Sequence, residues 1–210
     1  MKPFKSATRT LPEAYQKLDG LDLTTNQGLA LILNLGGLGL LFGLGWLFLQ
    51  SLAFLRPEYL SSENILVITG MREFWRAVLL LAVSTALMIV LHEGLHGLLF
   101  WIITGQFPKF GFRGFYAYAS APEWYIPRGA YVLIALTPVV LITVMGMAAV
   151  TIVPLNLVPG VLLLVSMNAA GALGDIITAI WLAGKPAGIL VYDYGDGVRI
   201  YGPGDGTDAP

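Results

Sequence analysis

Residues 77 to 104 read AVLLLAVSTALMIVLHEGLHGLLFWIIT, an apolar run whose ionisable side chains are His92, Glu93 and His96 alone. A helix needs about 20 apolar residues to cross roughly 30 Å of hydrocarbon, so this stretch is expected to span a bilayer. Three further stretches of the same character lie at Gly28 to Leu55, Ala130 to Val153 and Pro159 to Leu182. The expected fold is an all-α, four-transmembrane-helix bundle over residues 28–182, flanked by an N-terminal segment (1–27) and a C-terminal tail (183–210). The first span does not read as a cleaved signal peptide, because its apolar run is longer than an h-region and a mostly polar segment precedes it.

Composition supports this reading and narrows the chemistry. Of 210 residues, 56% are hydrophobic and 12% charged, against about a quarter charged in a soluble domain. The mean hydropathy is +0.74. A net charge of -1 with no run of like charges argues against a nucleic-acid surface. The chain has no cysteine, which excludes disulfides, thiolate metal sites and a cysteine nucleophile. Any metal must be held by His, Asp or Glu.

The segments outside the spans have their own signals. Residues 107–129, FPKFGFRGFYAYASAPEWYIPRG, are aromatic and broken by Gly and Pro, as expected of a short interfacial β-hairpin. Alternation around Phe115 to Tyr118 offers an edge strand to an extended substrate, with interfacial anchoring as the equal alternative. Residues 189–201, ILVYDYGDGVRIY, read as a small C-terminal β-hairpin about a Gly-Asp-Gly turn. Gly39 and Gly43 form a GxxxG pair that suits close helix packing and leaves a homo-oligomer open. Pro138 marks a kink in the third span, tolerable because neighbouring groups in a bundle can satisfy the freed carbonyl; no chemistry attaches to it. Nine Lys or Arg fall on the side of the termini and three (Arg56, Arg72, Arg76) on the other, which places both termini in the cytoplasm.

HEGLH at 92–96 contains both histidines of the chain. On a helix, His92 and His96 project from one face about 6 Å apart, near enough to share a zinc ion, with Glu93 beside them to take a proton from the activated water. Within the expected spans the only other acidic or basic residue is Asp175. Such groups are costly in lipid and usually functional. His96 lies eight residues before Thr104 and Asp175 eight before Ala183, roughly 12 Å at 1.5 Å per residue, so they can meet in one plane as metal ligands. In NAAGALGD (168–175), Asn168, Gly171 and Asp175 share one face of a straight helix. Small residues there would let the fourth span approach the second. Asn168 is then a candidate substrate contact, with interhelical hydrogen bonding as the ordinary alternative.

These motifs resemble the putative zincin peptidase family of small bacterial integral-membrane proteins, itself similar to the site-2 proteases. HEGLH, AYASAPEWYIPRGAYVLIALTP, NAAGALGD and VYDYGDGVRIY carry the likeness over most of the chain. The resemblance implies His92, His96 and Asp175 as ligands of Zn2+, Glu93 as catalytic base, and a bacterial plasma membrane as the location. Asp175 follows Gly174 with no proline near, a departure from the site-2 pattern. The expected activity is hydrolysis of peptide bonds in membrane or membrane-proximal substrates. The expected partners are lipid and a membrane-protein or peptide substrate. A zinc-binding protein without proteolysis and a proton-coupled transporter remain the alternatives, separable through Glu93, which only hydrolysis needs as a base.

Overall fold

A computed structural model describes residues 7–22, 27–61, 68–112, 117–195 and 197–204. Phe115 and Tyr116, on which the edge-strand expectation rests, lie outside the described residues. The helices are α1 (Gln27–Leu55), α2 (Pro57–Leu60), α3 (Met71–Thr104), α4 (Arg128–Val150), α5 (Val158–Gly171) and α6 (Leu173–Ala183). The strands are β1 (Tyr15–Asp22), β2 (Lys109–Phe112), β3 (Ala117–Ser120), β4 (Tyr125–Pro127), β5 (Leu190–Asp193) and β6 (Gly197–Pro203). Three helices are long and apolar enough to cross a membrane, or four if α5 and α6 count as one broken span. Along them, side chains such as Phe54, Val90, Ile102 and Met145 stand exposed. Large apolar side chains along such helices suit a hydrocarbon solvent.

Two expectations need correction. The fourth span is not one straight helix: α5 and α6 meet at a 42° bend. The break falls at Ala172, between Gly171 and Gly174, whose low helix propensity makes interruption cheap. The Asn168, Gly171 and Asp175 face is therefore divided between two helices, and a Cβ at Gly171 would meet nothing within 4 Å. The close approach of α5 to α3 comes earlier, at Gly160, where Ser84 Oγ donates to the Gly160 carbonyl at 3.1 Å. The protein is also not all-α. The C-terminal hairpin β5–β6 is widened into a four-stranded antiparallel sheet, β1-β6-β5-β4. The N-terminal segment supplies β1 through pairs such as Leu21↔Val198. The β2–β3 hairpin forms as expected, with Phe110 opposite Ala119.

The chain divides into two compact units. Unit 1 comprises Met1–Leu31, Glu93–Thr137 and Gly174–Pro210, and unit 2 comprises Ile32–His92 and Pro138–Leu173. The dividing points inside α3 and α4 interrupt neither helix. Unit 1 is built on a core of Phe100, Ile126, Ile134, Leu182, Val191 and Ile200. α3 ends there because Gly105, at φ +69, takes the left-handed conformation that closes a helix, with its N–H on the Trp101 carbonyl at 2.8 Å. Arg128 donates through Nη1 to the carbonyls of Ala183 and Lys185 at the end of α6. In unit 2, Leu52, Tyr59, Val150 and Val158 form the core. Arg56 Nη1 donates to the Val150 and Val153 carbonyls at 2.8 and 3.0 Å, satisfying the end of α4. Among the α1 glycines, a Cβ would meet Leu173 at Gly36, the Ala170 carbonyl at Gly37 and Ser166 at Gly45, whereas at Gly39 and Gly43 of the GxxxG pair it would meet nothing within 4 Å.

Candidate metal centre

His92 and His96 stand one turn apart on the unbroken helix α3, and both are buried, at 7% and 8% exposure. Each ring is held by an oxygen acceptor on its Nδ1. His92 Nδ1 lies 2.9 Å from Asn168 Oδ1. His96 Nδ1 lies 3.0 Å from the Ile134 carbonyl oxygen. A carbonyl oxygen can only accept, so the backbone partner places the His96 proton on Nδ1. The side-chain oxygen of Asn168 does the same for His92, because its amide nitrogen points at the Pro138 carbonyl, 3.4 Å away. A histidine ligand ordinarily donates its other N–H to such a partner, which sets tautomer and ring orientation together.

His96 Nε2 then faces Asp175 Oδ2 at 3.5 Å. Asp175 sits in the first turn of α6, where the helix dipole favours a carboxylate. Its side chain keeps 28% exposure, so it is the more accessible edge of the group. The donor atoms of His92, His96 and Asp175 all lie within 4.8 Å of one another. A tetrahedral zinc ion with bonds near 2.0–2.1 Å separates its donors by roughly 3.4 Å. The His96–Asp175 distance already matches, and the donor set of two nitrogens and one carboxylate is that of an open catalytic site rather than a closed structural one. The residues present fit zinc. Glu93 follows His92 on α3 and is partly buried.

Gly97, directly after His96, brings a strand to this turn. A Cβ there would lie 2.4 Å from Phe110 Cζ and 3.1 Å from Pro108, so β2 and the residue before it pack on bare helix backbone.

A second acid, outside the apolar runs and therefore not marked by them, lies close to the group. Asp193, at the end of β5, is buried. Its Oδ2 accepts from Tyr131 Oη and its Oδ1 from the Gly195 N–H, both at 2.7 Å. Burial pushes its carboxyl up to about 6, against the opposing pull of those two hydrogen bonds and, when its ring carries a proton on both nitrogens, of His96, while Asp175 adds a smaller push upward. Tyr131 stands on α4, three residues before Ile134, whose carbonyl holds His96. A signal was available: Val191 and Asp193 alternate onto one face of the strand, so the acid occupies a position that the pattern reserves for an apolar residue.

No curated protein and no solved structure matches the chain. A family model described as putative zincin peptidase matches residues 85–190. That interval includes His92, Glu93, His96, Ile134, Asn168 and Asp175 and stops before Asp193. With half its length matched, the chain belongs to the putative zincin peptidase family.

Proposed function

We propose that the protein is a zinc-dependent, membrane-embedded metalloprotease that hydrolyses peptide bonds of membrane or membrane-proximal substrates. The observation that carries this reading is the paired use of Nδ1. Both histidines commit that nitrogen to an oxygen acceptor, so Nε2 is the coordinating atom of each ring and Asp175 completes the set.

When bound, zinc supplies a Lewis acid that lowers the pKa of water to about 7 and polarises the scissile carbonyl. Glu93 takes the proton from the attacking water and returns it to the departing amine, so the same carboxylate serves as base and then as acid. Asn168, expected from sequence as a substrate contact, is assigned here to orienting His92, since it is fully buried with Oδ1 on the ring. A helical substrate must unwind before its carbonyl can be attacked, and in lipid the freed backbone groups need partners. The β2–β3 hairpin, packed on Gly97, is assigned to hold the unwound segment by strand addition. Both termini lie in the cytoplasm by the basic asymmetry of the chain.

The test compares wild type with Glu93→Gln by proteomics of membrane fragments and by metal analysis of the purified proteins. Fragments unique to wild type, with zinc retained in both, support hydrolysis. Zinc in both with identical fragment profiles would favour a metal-binding protein that does not cut.

A further inference from the structure

We propose that Pro138 is a positioning residue for His96: by lacking an N–H, it releases the Ile134 carbonyl from α4 so that the carbonyl can hold the ring of the ligand. The inference rests on the metal-centre reading above and extends it to a residue outside the donor set. In an α-helix the N–H of residue i bonds the carbonyl of residue i−4. Pro138 lies inside α4, four residues after Ile134, so the donor that Ile134 would ordinarily receive does not exist. The proline ring also crowds that carbonyl and turns it away from the helix axis. That same carbonyl is the one 3.0 Å from His96 Nδ1.

The arrangement answers a constraint imposed by the membrane. In hydrocarbon every backbone polar group must be paired, and a regular helix uses its carbonyls internally. A buried histidine on one spanning helix therefore finds few backbone acceptors on another. A proline four residues downstream creates one at a chosen position, and the histidine in turn removes the penalty of an unpaired carbonyl in lipid. Carbonyl and imidazole each satisfy what the other would leave open. His92 is held differently, by the Asn168 side chain, whose amide reaches the backbone carbonyl of Pro138 itself at 3.4 Å, a group that alanine or valine at 138 keeps, and it does not use the Ile134 carbonyl. It is the internal control.

The chain contains only two histidines, so selective 15N labelling of imidazole resolves both rings in the purified, metal-free protein. Wild type should show His96 as the Nδ1-protonated tautomer. Pro138→Ala restores an N–H to Ile134 and should give a mixture of tautomers at His96 while His92 stays unchanged. It should also weaken zinc binding by roughly tenfold, at the lower end for loss of an outer partner. The exchange Pro138→Val with Val139→Pro keeps a proline in α4 but releases the Ala135 carbonyl instead, and should reproduce the His96 effect. If both variants keep the wild-type His96 tautomer, or if both rings change together, the proposal is overturned. Wild-type protein that holds no zinc, yet shows the His96 change in the variants, would remove the zinc reading and leave the positioning role standing.

Discussion

Replacing Asn168 with alanine should weaken zinc binding by about ten- to a hundredfold, the range for losing an outer partner of a ligating histidine. Asn168 is 0% exposed and its Oδ1 is 2.9 Å from His92 Nδ1, so no water is at hand to replace it. The truncation leaves a buried imidazole N–H without its acceptor, at a cost of about 1–3 kcal/mol. At 1.4 kcal/mol per factor of ten, that cost corresponds to roughly five- to a hundredfold, so two independent estimates agree. The ring can recover the loss only by turning, which takes Nε2 away from Asp175 and His96. Asn168→Asp keeps an oxygen at the same position and should hold zinc within a few-fold of wild type, because a carboxylate is an ordinary partner for a zinc histidine. Competition against a chromophoric chelator, in detergent at fixed pH, measures both. An Asn168→Ala protein that is folded and binds zinc as tightly as wild type would refute the orienting role and return Asn168 to helix packing.

Glu93→Gln should keep zinc and the fold while turnover falls by about 10²–10⁴; undiminished cleavage of a reporter substrate would reject Glu93 as the base. Asp175→Ala should lower zinc retention, and His92→Ala with His96→Ala should abolish it, both read by metal analysis; full retention in either removes the residues concerned from the ligand set. A pH effect follows from Asp193, whose carboxyl is raised from an ordinary 3.8 to about 6 by burial. Between those values the folded protein holds a proton that the unfolded chain has released, so this contribution to stability is full below about pH 3.8 and is lost as pH rises through about 6. The loss is on the order of 3 kcal/mol. Denaturant unfolding of the metal-free protein should show this decline, and Asp193→Asn should flatten it; equal slopes in the two proteins would show that another group sets the dependence.

Spacing along one element was enough for several of these residues. Four apolar runs locate the helices long and apolar enough to cross a membrane, three of them or four if α5 and α6 count as one, and α1, α3 and α4 begin or end within a few residues of the expected limits. His92 and His96 share a helix, so their separation is a property of 3.6 residues per turn and needs no tertiary information. Asp175 was legible as one of the few ionisable residues that fell within those runs. The interruption at Ala172 was not, because two glycines in an apolar run suit a continuous packed helix as well as a break. Nor could spacing show that β1 joins β6, since antiparallel partners so distant in sequence meet only when the chain closes on itself. Asp193 and Tyr131 are 62 residues apart, and their pairing is likewise a product of folding. Pro138 shows the division within a single residue. Its covalent structure determines that Ile134 loses a helical donor, and this can be read directly from the sequence. That His96 is the group filling the gap depends on α3 and α4 lying side by side in unit 1, a relation that only long-range packing can set.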